Sequence, residues 1–129
     1  MIARSAEPVR ILLVEDNEVY RSSLELLLGL QEGMRVVGSV AEGGAAAQAC
    51  VETRADVVLM DFRLPGMDGA AATAAVRSAC PAAAVVCLTA EATEADREAV
   101  LAAGAVGLVE KGRPIEGLVT AIRRAAGWS

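Results

Sequence analysis

The segment Val57-Val58-Leu59-Met60-Asp61 sets four apolar residues directly before a carboxylate. A short, continuous run of this kind, rich in β-branched residues, is typical of a strand buried on both faces of a parallel sheet. Similar runs occur at residues 11–14, 36–37, 85–88 and 106–109. The chain therefore has five strand candidates, and the two weaker runs, at 36–37 and 106–109, are the predicted edges of the sheet.

Helical patterns lie between these runs. Thr93 and Asp96 have the spacing of a capping box at the start of the fourth helix, and Gly104 is a plausible left-handed residue at its end. Strands that alternate with helices predict an α/β fold in which right-handed crossovers cover both faces of one parallel sheet. Apolar residues repeat at helical spacing in two of the intervening segments, first at Tyr20, Leu24, Leu27 and Leu28, and again at Ile115, Leu118, Val119 and Ile122.

The composition restricts the chemistry. The chain has 129 residues and a formal net charge of -5, which indicates one ordinary domain with no surface for nucleic acid or an anionic membrane. It has no histidine, so Ser-His-Asp catalysis, Cys-His catalysis, histidine zinc sites and phosphohistidine carriage within this chain are excluded. With only three aromatic residues, the core must consist of Ala, Val and Leu side chains.

The cysteines and the apolar segments favour a cytoplasmic protein without a membrane span. Cys50, Cys80 and Cys87 are odd in number and lack CxxC spacing, so we interpret them as reduced core residues. The longest stretch without charge, residues 78–90, contains Pro81 and is too short to cross a bilayer.

Ligands of an open α/β sheet bind beyond the carboxyl ends of its strands, and charged residues stand at those positions here. The first strand runs into Glu15-Asp16, and the third ends in Asp61. If the central strands are neighbours, these three carboxylates converge and need a compensating cation, for which Mg²⁺ is suited. Asp61 can then act as a nucleophile toward phosphorus.

The other strand ends supply complementary groups. The fourth strand ends in Thr89-Ala90 and the fifth in Glu110-Lys111. The Thr89 hydroxyl can donate a hydrogen bond to a phosphoryl oxygen, and Lys111 can place a positive charge beside it. The chain contains eleven arginines and one lysine. Placing that one compact ammonium at the end of a buried strand favours a phosphate site, although each acidic residue alone could be an ordinary loop residue.

Together these segments resemble the receiver domain of bacterial two-component response regulators. The resemblance covers residues 10–126 and implies a flavodoxin-like (βα)5 fold with strand order 2-1-3-4-5. It is carried by Ile11-Leu12-Leu13-Val14-Glu15-Asp16-Asn17, by residues 57–69 (VVLMDFRLPGMDG), by Leu88-Thr89-Ala90 and by Gly107-Leu108-Val109-Glu110-Lys111.

The resemblance implies a role for each matching position. Asp61 is the implied phosphoacceptor, which makes the protein a switch that catalyses only its own phosphotransfer and dephosphorylation. Thr89 and Lys111 would bind the phosphoryl group, beside a small Ala90. The implied ligands of Mg²⁺, for which Mn²⁺ could substitute, are Glu15, Asp16, Asp61 and the backbone carbonyl of Arg63.

Two positions invite separate hypotheses. Receivers usually carry Tyr or Phe three residues before the lysine, where this chain has Leu108, so the usual aromatic readout of the switch is missing.

Arg63 and Glu91 stand two residues after Asp61 and Thr89, and we hypothesise that they pair across the cleft and slow hydrolysis of the acyl phosphate. The alternative is an exposed pair without kinetic effect.

The predicted organisation is a lead-in at 1–9, the receiver domain at 10–126 and a tail or linker start at 127–129. Residues 34–38 and 121–125 resemble NarL/LuxR-type receivers that precede a DNA-binding domain, which would lie outside this chain; a stand-alone receiver is the alternative. The implied partners are a sensor histidine kinase and a second copy through a receiver face.

Other functional classes fit less well. A flavin-binding domain needs a Ser/Thr/Gly-rich loop after the first strand, where this chain has Glu-Asp-Asn-Glu. An aspartate-nucleophile phosphatase needs a carboxylate at the position of Arg63. A nucleotide enzyme needs a GxGxxG or P-loop motif, and neither occurs in the sequence. The remaining rival is a receiver-like interaction module that acts without phosphorylation, which Leu108 suggests.

Overall fold

Strands and helices alternate along the part of the chain that the structure, a computed structural model, describes, which is residues 7–127. Residues 1–6 of the predicted lead-in and residues 128 and 129 of the predicted tail lie outside it. A 3-10 turn at Gly43–Ala45 leads into the second helix. The elements are β1 (Val9–Val14), α1 (Glu18–Gly29), β2 (Met34–Val40), α2 (Ala46–Thr53), β3 (Val57–Asp61), α3 (Gly69–Ala79), β4 (Ala84–Thr89), α4 (Glu94–Ala102), β5 (Gly107–Glu110) and α5 (Ile115–Ala125).

The strands form one parallel sheet in the order β2-β1-β3-β4-β5, which confirms the expected fold and the expected edges. The three central strands are almost completely buried, whereas β2 and β5 are mostly half-buried. In register, Asp61 lies opposite Leu88 and Thr89 opposite Glu110. Because the strands are parallel, their carboxyl ends lie along one edge of the sheet, where the charged residues follow.

Helices cover both faces of the sheet, and side-chain alternation along the strands explains the two cores. Met60 packs in a cluster with Val76 of α3 and with residues of α2 and α4. Its neighbour Leu59 packs in the opposite cluster with Leu28 of α1 and Ile122 of α5. The buried members of both clusters in residues 7–127 are aliphatic or sulfur-containing, as the scarcity of aromatic residues predicts.

Three details differ from the sequence-based prediction. β1 begins at Val9, inside the predicted lead-in, because Val9 pairs with Met34 and is completely buried. β5 begins one residue later than its apolar run, since Val106 is 57% exposed. Leu27 was predicted on the buried stripe of α1 but is 39% exposed, so this stripe is narrower than the pattern indicates.

Three of the five helix starts at the sheet's carboxyl edge are capped by side chains, those of α1, α3 and α4, whereas α2 and α5 begin without a side-chain cap. Asn17 Oδ1 accepts a hydrogen bond from Tyr20 N, and Asp68 Oδ1 accepts one from Ala71 N. Thr93 Oγ1 accepts a hydrogen bond from Asp96 N, which confirms the predicted start of α4. Gly104, with φ +108°, follows the end of that helix in a conformation that L side chains rarely adopt, as expected.

The three cysteine side chains lie in or beside the core cluster that contains Met60. Cys50, Cys80 and Cys87 all have free thiols; Cys50 and Cys87 are buried, and Cys80 is only half-buried beside the same core. Within residues 7–127, none of the helices has the length and apolar character that crossing a membrane requires.

Candidate functional site

Three carboxylates meet where β1 and β3 end, as the sequence predicts. One oxygen each of Glu15, Asp16 and Asp61 lie within 4.8 Å of one another. Glu15 and Asp61 are buried, while Asp16 is exposed. Like charges this close repel each other, so the cluster favours either a bound cation or a bound proton.

Glu15 is fixed by contacts on its backbone and on its side chain. Its Oε2 accepts a hydrogen bond from Asn17 N at 3.0 Å, and its carbonyl oxygen accepts one from Arg21 Nη1 at 2.7 Å. Its N–H donates to the carbonyl of Val40, which continues the pairing of β1 with β2. The most buried acid of the site therefore has a defined orientation before any ligand arrives.

Asp61 ends β3 beside a helix start that approaches the backbone closely. Its Oδ1 accepts a hydrogen bond from Arg63 N at 3.2 Å. Gly69, the first residue of α3, donates its N–H to the carbonyl of Phe62. A Cβ atom at Gly69 would lie 2.6 Å from Phe62 Cα and 2.7 Å from the carbonyl oxygen of Asp61, so only glycine fits here without displacing the candidate phosphoacceptor.

Lys111 projects into the acidic cluster from the end of β5. Its Nζ lies 2.8 Å from Oε1 of Glu15 and 3.3 Å from Oδ1 of Asp61. The same ammonium lies 4.7 Å from the centre of the Tyr20 ring, within the range of a cation–π interaction. The one lysine of the chain is therefore held by two carboxylates and an aromatic face.

The pKa values in the cluster reflect this arrangement. Burial raises the pKa of Asp61 from 3.8 to about 6, and the negative charge of Glu15 adds to the rise, whereas the N–H of Arg63 and the charge of Lys111 oppose it. Burial alone would lower the pKa of Lys111, but its contact with Glu15 and the charges of Asp61 and Glu15 outweigh this, and the net pKa is raised. The lysine therefore stays charged at neutral pH.

Thr89 is buried at the end of β4, next to the site. Its hydroxyl donates a hydrogen bond to the carbonyl of Glu91 at 3.3 Å, and its own carbonyl accepts one from the N–H of Lys111 at 2.7 Å. Ala90, which follows it, is exposed. The structure thus brings Thr89 and Lys111 together at the end of the β4–β5 pair, as predicted, with the Thr89 hydroxyl turned to its own loop.

The donor set fits a divalent cation. Three carboxylates against one ammonium leave two negative charges when all groups are ionised, and all the donors are hard oxygens. Mg²⁺ is bound through one or two carboxylates and keeps further positions for water or phosphate oxygens. Because Asp16 is exposed, the cluster is open to solvent on one side, which suits such a partly hydrated ion.

In this structure Arg63 and Glu91 do not form the ion pair that we hypothesised, and their effect on hydrolysis of the acyl phosphate stays a prediction. The Arg63 guanidinium lies 5.8 Å from the centre of the Phe62 ring, and within residues 7–127 it makes no ion pair with Glu91. Both side chains are exposed, so stacking on the adjacent ring costs less entropy than a pair of two extended side chains. Leu108, at the position that is usually aromatic, is buried in the core cluster that contains Met60.

Two residues that contact the site, Tyr20 and Glu110, could not be given a role there from the sequence. Tyr20, predicted as a core residue, places its ring over Lys111, and burial raises the pKa of its hydroxyl while the charge of Lys111 opposes the rise. Glu110 accepts a hydrogen bond from Ala92 N through Oε2 and two from Arg113 through Oε1. The sequence places Glu110 at the end of β5 beside Lys111, but its spacing does not show that it reaches the loop before α4.

Comparisons with known proteins agree with this geometry. The family model for the response regulator receiver domain matches residues 11–123. The oxygen regulatory protein NreC of Staphylococcus haemolyticus is 34% identical over 116 residues, which cover 89% of this chain and 54% of that protein. The response regulator UvrY of Escherichia coli is 33% identical over 115 residues, covering 89% and 53%. The chain therefore spans about half the length of these curated relatives.

Solved structures give the same result. A two-component response regulator of the LuxR family from Aurantimonas sp. superposes with a TM-score of 0.88 at 34% identity, covering 95% of this chain and 88% of that one. The receiver domain of the sensor histidine kinase PA1611 from Pseudomonas aeruginosa, solved with a magnesium ion in its active-site cleft, superposes with a TM-score of 0.81 at 36% identity, covering 93% and 98%.

Proposed function

The chain belongs to the response regulator receiver family, and from that membership we propose that it is a phosphorylation switch whose phosphoacceptor is Asp61. A member of this family accepts a phosphoryl group itself rather than acting as an enzyme on a separate substrate. One observation supports the choice of residue above the others. The Asp61 carboxylate is buried at a strand end, within 4.8 Å of two further carboxylates and 3.3 Å from the only lysine.

The chemistry follows from the family, since this chain has no histidine of its own to carry the phosphoryl group. A receiver implies a cognate histidine kinase, and the phosphoryl group starts on an imidazole nitrogen of that partner. An oxygen of the Asp61 carboxylate forms a bond to phosphorus while the phosphorus–nitrogen bond breaks, and the imidazole keeps the electron pair and takes a proton from water. Asp61 must be ionised for this attack, which its pKa of about 6 allows at neutral pH.

We assign the surrounding residues as follows. Lys111 stays charged and provides an ammonium for the transferred oxygens; it is already 3.3 Å from Asp61. Thr89 has a hydroxyl that can exchange the Glu91 carbonyl for a phosphoryl oxygen. Ala90 leaves room beside them because its side chain is a methyl group.

We propose Mg²⁺ as the cofactor of the acidic cluster, with Mn²⁺ as a substitute. Glu15, Asp16, Asp61 and the backbone carbonyl of Arg63 would hold it, and it would neutralise the carboxylates and the incoming phosphoryl charge. The support is the set of hard oxygen donors and their two uncompensated negative charges.

For the whole protein, we propose a cytoplasmic transcriptional response regulator in which residues 10–126 are the receiver unit and a DNA-binding domain lies outside this chain. The support is the similarity to NreC, UvrY and a LuxR-family regulator, together with the half-length coverage of the first two. A second copy that pairs through a receiver face is part of this proposal. A stand-alone receiver is the alternative.

Intact-mass analysis after incubation with a small-molecule phosphoryl donor and Mg²⁺ tests the switch. We expect the parent chain to gain the mass of one phosphoryl group and the Asp61→Asn variant to gain none. Asp96→Asn, which changes an aspartate at the start of α4, is the matched control and should be modified like the parent. If no donor modifies the parent chain, the rival interpretation of an interaction module without phosphorylation is correct.

A further inference from the structure

One peptide group in the loop between β4 and α4 is held from both sides. Its carbonyl oxygen, from Glu91, accepts a hydrogen bond from the Thr89 hydroxyl at 3.3 Å. Its N–H, from Ala92, donates to Oε2 of Glu110 at 2.9 Å. The peptide group is planar, so its oxygen and its N–H turn together, and a rotation of this plane changes both hydrogen bonds at once.

The Glu110 carboxylate is itself fixed. Its other oxygen, Oε1, accepts hydrogen bonds from Arg113 Nε at 3.1 Å and Nη2 at 2.8 Å. Glu110 also lies opposite Thr89 in the β4–β5 register, and the next residue, Lys111, donates its N–H to the Thr89 carbonyl. Glu110 therefore joins the strand end that carries Lys111 to the loop that follows Thr89.

We infer that Glu110 is a positioning residue that holds the Glu91–Ala92 peptide in the orientation in which Thr89 keeps its hydroxyl on the loop. This inference rests on the proposed phosphorylation switch. When Thr89 bonds to a phosphoryl oxygen on Asp61, the Glu91 carbonyl loses its donor. Glu110 then resists the rotation of the freed peptide, because rotation breaks the hydrogen bond from Ala92. The contact thus favours the resting arrangement over the phosphorylated one.

The position of this contact explains how β5 can sense the loop without an aromatic ring. Leu108 is buried in the core and has no hydroxyl or ring edge to offer the loop. Glu110 lies on the same strand, two residues later, and reaches the loop with a carboxylate instead. An exposed ion pair such as Glu110–Arg113 contributes little to stability by itself, so the bond to Ala92 is the informative contact.

The test measures the affinity of the full chain for beryllofluoride, an analogue of the phosphoryl group, with Mg²⁺ present, by calorimetric titration. We expect Glu110→Ala to bind the analogue about three- to tenfold more tightly than the parent, the range that one hydrogen bond provides. Glu110→Gln keeps an acceptor oxygen for Ala92 and should show a smaller gain. Glu98→Ala, at an exposed position of α4, is the matched control and should bind like the parent.

A double-mutant cycle with Thr89→Ala separates this role from a merely structural one. Without the Thr89 hydroxyl, the Glu91 carbonyl has no donor to lose when the analogue binds, and the gain from Glu110→Ala should disappear. Arg113→Ala removes only the hydrogen bonds to Oε1 of Glu110. Its affinity for the analogue should lie between those of the parent and Glu110→Ala. This variant and Glu110→Gln keep the test decisive if Glu110→Ala fails to fold.

A parent chain that binds the analogue together with a Glu110→Ala variant of equal or weaker affinity overturns this inference and leaves the proposed function standing. The same holds if the gain persists at full size in the Thr89→Ala background. A parent chain that binds no analogue and accepts no phosphoryl group overturns both.

Discussion

The Nζ of Lys111 lies 2.8 Å from Oε1 of Glu15, a side chain that is only 2% exposed. The resting site therefore uses its single ammonium mainly to neutralise the most buried carboxylate. Asp61, at 3.3 Å, shares this charge only in part, and Asp16 is left to solvent. Burial and the negative charge of Glu15 raise the pKa of Asp61, so ionisation of this carboxyl group costs the folded protein free energy.

Replacing Asp61 with asparagine should stabilise the protein in the absence of divalent cations. The pKa of Asp61 is about 6 in the folded chain against an ordinary 3.8, so the folded state binds more protons between these values. Stability therefore falls as the pH rises from about 4 to 6, and above pH 6 the cost is complete, on the order of 2–3 kcal/mol. Urea unfolding with a chelator should show Asp61→Asn more stable than the parent at pH 7.5.

The same comparison at pH 3.5 provides the check, because the parent carboxyl is then mostly protonated in both states and the advantage should nearly vanish. Glu98→Gln, a change at an exposed position, should alter stability little at either pH. An advantage of Asp61→Asn that is equal at both pH values would mean that packing, not ionisation, explains it.

Much of the fold and of the site could be predicted because both depend on patterns that persist along the chain. Buried runs such as residues 57–60 need a place in the middle of a sheet, and parallel strands bring their carboxyl ends together. From these two facts the convergence of Glu15, Asp61 and Lys111 follows without any side-chain detail. The structure confirms it.

The features that were missed depend on packing or on side-chain rotamers. Val9 joins β1 because it pairs with Met34, and no local pattern shows that partner. Arg63 lies two residues after Asp61, which places its backbone near the cleft. The sequence does not determine its side-chain rotamer, and in the structure the guanidinium lies over the Phe62 ring. The hydrogen bond from Ala92 N to Glu110 depends on the backbone path of the β4–α4 loop. Loops have no periodic sequence pattern from which such a path could be predicted.

Replacing Gly69 with alanine should damage stability and phosphorylation together. The added Cβ would lie 2.6 Å from Phe62 Cα and 2.7 Å from the Asp61 carbonyl, so the start of α3 or the end of β3 must move, at a cost of about 1–3 kcal/mol. Gly117→Ala in α5 is the matched control, since its Cβ would meet nothing within 4 Å. Alanine should stabilise that helix by about 0.5–1 kcal/mol.

The readouts for this pair are the urea midpoint and the rate of phosphorylation by a small donor. Gly69→Ala should lower both, and Gly117→Ala should raise the midpoint and leave the rate unchanged. If Gly69→Ala reacts at the parent rate, the close approach of α3 has no role in placing Asp61.

If Mg²⁺ occupies the proposed site, it should raise the melting temperature of the parent chain, because the acidic cluster exists only in the folded state. A concentration of 100 times the Kd corresponds to about 2.7 kcal/mol. Asp16→Asn removes one charged donor and should require a higher Mg²⁺ concentration for the same shift, while Glu98→Gln should behave like the parent. A thermal shift in Mg²⁺ that is identical for all three proteins would exclude Asp16 as a ligand.

Glu91→Ala should leave the lifetime of the acyl phosphate within about a factor of two of the parent value. The side chain is exposed and forms no ion pair with Arg63, so its removal opens no new path for water. Decay of the phosphorylated mass peak over time measures this. A several-fold shorter lifetime would show that Glu91 shields the phosphoryl group by a contact that forms only after phosphorylation.

Lys111→Arg should separate the charge of the lysine from its shape. Arginine keeps the positive charge that Glu15 needs, so we expect most of the stability to remain, whereas Lys111→Met should lose about 1–3 kcal/mol by leaving a buried carboxylate unpaired.

The guanidinium is planar and larger than the ammonium now held between Glu15, Asp61 and the Tyr20 ring. It would occupy space that the transferred oxygens need, and the phosphorylation rate should fall about tenfold or more. Arg35→Lys, at an exposed position of β2, is the control for an exchange between the two cations. If Lys111→Arg accepts the phosphoryl group at the parent rate, the site needs only a positive charge, and the compact shape of the lysine side chain is not required.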